Sequence, residues 1–338
     1  MPSISELPPA LSIVLVLAAA LVATRLAIAY GLSRQLIDLP GGRRLHRQPT
    51  VRGAGVGMVG VLLCSYLVAE WLAPAQRNAV LGTVLALAMV AAVGWWDDHR
   101  PLPARWRLLA HLLAVLVLLG AVELPLGVIW LLFALALVWL VNAYNFIDGS
   151  DGFAGAHGVW ISGVCALVSW QVGDYWLAMA CAYLCACCSG FLVFNWPPAR
   201  AFLGDVASGT LGLALGAIVL LSWDRASLDP LLPILLMSGV VLDASLTLLW
   251  RIRSGRRWYQ AHCSHLYQWM LRSGWTARQV LLVYLAWSAL AGASFGLLPV
   301  DPTWRLVAAA AVLLLGSALW AIGRRKILHH RRIASLNR

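Results

Sequence analysis

The sequence predicts an all-α, polytopic integral membrane protein with about eleven transmembrane helices, an outside N-terminus, a cytoplasmic C-terminus and an active site on cytoplasmic loops. Three observations carry this expectation. Hydrophobic residues make up 61% of the 338 and charged ones only 12%, too few charges to coat a water-soluble domain. Apolar runs of the roughly 20 residues that a helix needs to cross the hydrocarbon core recur along the whole chain. The arginines gather in alternate loops, which is how a membrane protein fixes its orientation.

The runs fall at 9–30, 54–73, 79–96, 106–121, 126–143, 153–171, 175–194, 208–222, 230–250, 278–298 and 304–322. With the N-terminus outside, the loops holding Arg34, Arg43, Arg44, Arg47 and Arg52, then Arg100, Arg105 and Arg107, then Arg251, Arg253, Arg256, Arg257 and Arg272 lie inside, as does the tail "GRRKILHHRR". The outside loops keep Arg77, Arg225 and Arg305. The net charge of +11 is then a topology signal and a surface for anionic lipid. It does not indicate nucleic acid as a partner, because no soluble basic domain carries it. Residues 1–338 are expected to form a single transmembrane catalytic domain ending in a basic cytoplasmic tail over 324–338. Seven cysteines give no disulfide framework, and the cluster "CAYLCACC" (181–188), with no histidine or carboxylate beside it, suits close helix packing.

Five polar stretches interrupt the apolar sequence, all on the inside of this topology. They are "DLPGGRRLHRQPTVRGAG" (38–55), "WWDDHRPLPARWR" (95–107), "NAYNFIDGSDG" (142–152), "FNWPPARAFLGDVAS" (194–208) and "RRWYQAHCSHLYQ" (256–268). Taken singly, each has a plain explanation: a solvated helix end, a glycine turn, a cap at Asp205, interfacial histidines. Together they bring five carboxylates, Asp97, Asp98, Asp148, Asp151 and Asp205, to one face with His262, His265 and many arginines. Carboxylate and amide oxygens without thiolates suit a hard cation such as Mg²⁺ or Mn²⁺. Arginines and glycine-rich backbone suit phosphate oxygens. That is an inventory for phosphoryl transfer. The Walker and dinucleotide glycine patterns are absent, so nothing supports ATP or NAD. A transporter or flippase of a lipid-linked or anionic solute is the alternative; it calls for ionisable groups near mid-membrane and an internal repeat. Arg25, His111 and Asp243 lie within spans, and the halves show no repeat.

The motifs "WWDDHR", "NAYNFIDGSDG", "FNWPPARAFLGD" and "HCSHLYQ", in this order, resemble those of the polyprenyl-phosphate N-acetylhexosamine-1-phosphate transferases, glycosyltransferase family 4. The H-x-x-H-x-Y-Q form is most similar to the branch that initiates O-antigen, lipopolysaccharide or related surface glycans. The resemblance implies transfer of a sugar 1-phosphate from a UDP-N-acetylhexosamine to undecaprenyl phosphate, with release of UMP, in a bacterial inner membrane. It implies Mg²⁺, with Mn²⁺ able to substitute, and a homodimer as the common assembly. By position, Asp97 and Asp98 fall at the lipid phosphate, Asn145 and Asp205 match the metal ligands, and Asp148, His262 and His265 complete the catalytic set. Asp151, Asn195 and Phe202 match a nucleotide pocket, and Arg43, Arg44, His46, Arg52, Asn142, Arg256 and Arg257 are further substrate-binding candidates. The chain departs from the family pattern at Val51, Ala207, Trp250 and Cys263, where proline, glycine and two arginines are usual. Arg251, Arg256 and Arg257 are the cations that could replace the missing two.

Overall fold

The computed structural model describes residues 8–41, 48–72, 74, 76–122, 124, 126–257, 262–296 and 301–336, with backbone only at 296, 302 and 330–336. Arg43, Arg44 and His46 lie outside the described residues. The described chain is almost wholly helical: α1 (Pro9–Ser33), α2 (Val56–Leu72), α3 (Arg77–His99), α4 (Ala104–Ala121), α5 (Val128–Ile147), α6 (Phe153–Gln171), α7 (Tyr175–Asn195), α8 (Asp205–Arg225), α9 (Leu231–Arg253), α10 (Leu266–Arg272), α11 (Ala277–Gly296) and α12 (Pro302–Leu336). Each of the eleven apolar runs lies on one helix, and α10 is additional. Among the described residues nine helices are long and apolar enough to cross a bilayer; α2, at 17 residues, and α11 fall outside that set. Large apolar side chains such as Leu26, Leu135, Leu290 and Leu314 stand exposed on these helices, as they would against lipid.

Two expectations about element boundaries are corrected. Asp97 and Asp98 sit on the last turn of α3, and Asn142 and Asn145 on the last two turns of α5, where the sequence had suggested loops. The polar side chains there bond back into the structure instead of ending the helix: Asn142 Nδ2 donates to the Val138 carbonyl one turn earlier. The 38–55 stretch is not simple loop either. Ile37–Asp38 (β1) and Thr50–Val51 (β2) form a short antiparallel ladder, pairing Ile37 with Val51 and Asp38 with Thr50. At the other end of the chain, α12 continues as one helix through the basic segment from residue 324 to Leu336.

The chain divides into two compact units, residues 1–39 with 48–230, and residues 40–47 with 231–338. In the first, α8 is the core, its residues Val206 to Ser222 all buried. Its glycines explain how a helix can be enclosed so closely. A Cβ at Gly212 would lie 2.5 Å from the Leu140 carbonyl oxygen of α5, and one at Gly216 would lie 2.5 Å from Leu137 Cδ2. Around this axis α3 and α5 pack on α8, α4 on α3, and α6 and α1 on α7. In the second unit, α11 and α12 pack on α9, and α10 packs on α12.

Candidate active site

The cluster in the first unit is built where four helix ends meet, those of α3 and α5 and the starts of α4 and α8. Gly94 on α3 makes the approach possible, because a Cβ there would collide with the backbone of Asp205 and Val206 at the start of α8. Gly204 precedes that helix in the left-handed region, φ +75°, and a Cβ on it would lie 2.5 Å from Asp98 Oδ2. Asp98 can therefore reach across from α3 to cap α8. Its Oδ1 accepts from the Asp205 N–H at 3.0 Å and its Oδ2 from the Val206 N–H at 3.1 Å, satisfying two donors that the helix itself leaves unpaired. The 51–55 segment is brought in by backbone pairing, since Phe202 N–H donates to the Val51 carbonyl and Ala54 N–H to the Phe202 carbonyl. That delivers Arg52, whose Nε donates to Asp98 Oδ1 at 2.7 Å and whose Nη2 lies 3.5 Å from Asp205 Oδ2.

Arg107, at the start of α4, joins the other two carboxylates. One nitrogen, Nη1, donates to Asp97 Oδ2 at 2.8 Å and to Asp205 Oδ2 at 3.1 Å. From α5, Asn145 Nδ2 donates to Asp205 Oδ1 at 2.9 Å and to Ser208 Oγ at 3.2 Å. Asp148, the C-cap of α5, has its carboxyl raised well above the usual carboxylate range, first by burial and then by the charges of Asp205 and Asp98. The carboxyls of Asp97, Asp98, Asp148 and Asp205 thus outnumber the guanidiniums of Arg52 and Arg107, and burial with mutual repulsion raises the Asp205 pKa to about 7.

Other predicted residues lie outside this cluster of charges. Asn195, buried, accepts from the Gly152 N–H through Oδ1 and donates to the Ala201 carbonyl through Nδ2. Asp151 Oδ2 accepts from the Ala199 N–H at 3.0 Å. These two clamp the "DGSDG" turn onto the 195–201 segment, while Phe202 contributes backbone pairing and a part-exposed ring. Asn142 bonds its own helix and does not join the cluster. Arg107 and Ser208 were not among the predicted site residues. Arg107 was legible only as one of several topology-setting arginines, and nothing in the spacing singles it out.

The histidine motif lies in the second unit. His262 and His265 have ring centroids 5.0 Å apart, and His265 caps α10 in a reciprocal box with Gln268. Ser264 Oγ lies 3.0 Å from His262 Nδ1, and Arg251 Nη1 is 3.5 Å from the same hydroxyl. Arg256 stands 4.6 Å over the Trp250 ring and Arg257 is exposed, its carbonyl accepting from Arg251 Nη2. Of the three candidate replacement cations, Arg251 is thus the one in contact with the histidine segment. Burial, with His265 and Arg251 nearby, lowers the His262 pKa to about 4. A histidine neutral in the fold and ordinary in the unfolded chain stabilises the fold fully above about 6.5, and that contribution is lost as pH falls towards about 4. Melting curves from pH 7 to 4 are expected to show His262→Gln losing less stability than the parent; parallel curves would contradict this.

With this geometry in hand, comparison with known proteins is decisive. The model of glycosyl transferase family 4 matches residues 80–223, the stretch that supplies Asp97, Asp98, Arg107, Asn145, Asp148 and Asp205. The decaprenyl-phosphate N-acetylglucosaminephosphotransferase of Mycolicibacterium smegmatis is 31% identical, over 77% of this chain and 74% of that protein. The chain belongs to this family, the polyprenyl-phosphate hexosamine-1-phosphate transferases. A phospho-N-acetylmuramoyl-pentapeptide-transferase from a Synechococcus is 34% identical over 60% of each chain, so this chain spans less than two thirds of that relative. The enzyme of the same name from Moorella thermoacetica is 31% identical over 74% of this chain and 90% of its own length.

Against the pattern of the family 4 transferases, the departures noted in the sequence have local accommodations. Ala207 is fully buried with its methyl over Gly55, which has no side chain to obstruct it. Val51 fills the second strand of the ladder, 5% exposed. The Trp250 ring is covered by the Arg324 guanidinium at 3.8 Å. The Cys263 carbonyl accepts from Arg272 Nη1 at 3.1 Å.

Proposed function

We propose that this chain transfers an N-acetylhexosamine 1-phosphate from a UDP-sugar to undecaprenyl phosphate at the cytoplasmic face of a bacterial inner membrane. The products are UMP and a lipid diphosphate sugar that initiates an O-antigen or related surface glycan. The observation that carries the proposal is the Asp98–Arg52 and Asp97–Arg107–Asp205–Asn145 constellation, assembled from α3, α4, α5 and α8 within the family-matched stretch.

The donor set fits a divalent cation of a particular kind. Among the described residues no group of three histidines, cysteines, aspartates or glutamates forms a metal cage. Mg²⁺ ordinarily needs only one or two carboxylates, taking its remaining ligands from water and substrate phosphates. Asp205, with a side chain 20% exposed, offers carboxylate oxygens of that type, and the Asn145 amide whose nitrogen donates to it carries one more oxygen, in a cluster where carboxyls outnumber guanidiniums. These two residues would hold the ion. When bound, it would neutralise charge on the donor diphosphate.

The chain's own residues have the following work. The acceptor phosphate oxygen attacks the β-phosphorus of the UDP-sugar, and the bond from that phosphorus to the bridging oxygen breaks as UMP leaves. Both reactants are anions, so alignment and charge are the obstacles. Arg52 and Arg107 present guanidiniums to the phosphoryl oxygens, and Asp98 and Asp97 hold those guanidiniums in place. Asp148 is pushed towards its neutral form by burial and by the charges of Asp205 and Asp98, the direction that weakens a carboxylate nucleophile, and a single displacement needs none.

The histidine motif supports an N-acetylglucosamine-type donor over a muramoyl-pentapeptide donor. Purified protein given undecaprenyl phosphate and Mg²⁺ is expected to release UMP from UDP-N-acetylglucosamine or its 4-epimer and to be silent with UDP-N-acetylmuramoyl-pentapeptide. EDTA should abolish turnover and Mn²⁺ restore it. Turnover that survives chelation, or turnover with the pentapeptide donor alone, would overturn the respective part.

A further inference from the structure

Within the second unit, one carboxylate inside a membrane-spanning helix has no part in the chemistry above. Asp243, in the middle of α9, is 1% exposed. An ionisable side chain at such a position is costly unless it is fully partnered, and it usually marks function. Asp243 Oδ1 accepts from the Leu266 N–H at 2.8 Å, from Trp320 Nε1 at 2.9 Å and from Thr247 Oγ1 at 3.2 Å. Its Oδ2 accepts from the Tyr284 hydroxyl at 2.9 Å and the Tyr267 N–H at 3.2 Å. Five donors from α9, α10, α11 and α12 thus converge on one side chain.

Two of the donors are the first backbone N–H groups of α10, immediately after His265. The rest of the segment is tied to the same helices. One turn beyond Trp320 on α12, Arg324 donates from Nη1 to the Ser264 carbonyl at 3.1 Å, and the Ser264 hydroxyl is the group beside His262. If stability alone were needed, packed apolar side chains would serve as well as a buried polar hub. A hub of this kind fixes a geometry. We propose that Asp243 is a positioning residue, which pins the start of α10 to α9, α11 and α12 and so sets the His262 and His265 rings for sugar-phosphate transfer. The proposal rests on the function given above.

Cys263, between the two histidines, is a part-exposed thiol outside any disulfide and serves as a built-in reporter of the segment. Full-length protein carrying Asp243→Asn would be treated with a water-soluble maleimide and labelling resolved by site with mass spectrometry. Loss of the pin is expected to raise the Cys263 labelling rate about fivefold or more, as local opening becomes easier. It should lower kcat about tenfold or more while KM for the UDP-sugar stays within about twofold. Added to His265→Ala, Asp243→Asn should cost less kcat than it does alone, because the part of its effect that runs through the His265 ring is already gone. Tyr284→Phe and Trp320→Phe each delete one donor and should shift labelling the same way by less; they decide the matter should Asp243→Asn fail to fold. Unchanged Cys263 labelling, or losses that multiply in the double variant, would overturn the proposal. Absence of transfer by the parent protein would instead defeat the proposed function, and labelling alone would then decide whether Asp243 pins the segment.

Discussion

Asp205→Asn is expected to lower kcat by about a hundredfold or more, with the protein still extracting and melting as the parent does. Asp205 is where the cluster's partners converge: Asn145 on one oxygen, Arg107 and Arg52 on the other. The amide keeps the shape but removes the charge and replaces an acceptor with a donor, which would then face guanidiniums. If Asp205 and Asn145 hold a divalent cation, the variant should also need more Mg²⁺ for half-maximal rate. A variant with parental kcat and parental Mg²⁺ dependence would remove Asp205 from the site.

The second large effect is expected at Asp98, where a role as general base is tempting. The geometry points elsewhere. Its side chain is 1% exposed, and its oxygens already accept from Arg52, Asp205 N–H and Val206 N–H. An asparagine has one oxygen for these donors, so Asp98→Asn should loosen both the start of α8 and the Arg52 guanidinium. Lost capping alone is worth about 1 kcal/mol, and misplacing Asp205 should cost kcat about a hundredfold. A phosphate monoester has its second pKa at about 6, so above that pH the acceptor has little proton to give up. The deficit of Asp98→Asn is therefore expected to be the same from pH 6 to 9.5. A deficit that shrinks as pH rises would restore the base role.

Much of this was legible in the sequence, for identifiable reasons. Hydropathy located every long helix because lipid-facing and core-facing side chains are alike apolar, leaving long runs with no alternation to misread. The same signal misplaced helix ends. Hydropathy falls at Asp97 and Asn142, but the backbone stays helical because the side chains find partners inside the fold, Leu102 N–H for Asp97 and the Val138 carbonyl for Asn142. The β1–β2 ladder was hidden because two-residue strands leave no periodicity. Residue types revealed that carboxylates and amides would cluster, yet not that Asn195 and Asp151 would also bond the backbone of Gly152, Ala199 and Ala201 across the turn. Arg107 and Asp243 were visible as charges, but their meaning depends on partners 98 and 23 residues away, which only packing brings together.

The most direct measurement follows one phosphorus atom. UDP-N-acetylglucosamine labelled at the β-phosphorus would be incubated with purified protein, undecaprenyl phosphate and Mg²⁺, and the products partitioned between organic solvent and water. Sugar-1-phosphate transfer predicts label in the lipid fraction, an equal amount of unlabelled UMP in the aqueous one, and neither with Asp205→Asn. Labelled UDP in the aqueous fraction, with sugar but no label in the lipid, would show that the sugar moves without its phosphate and would contradict it.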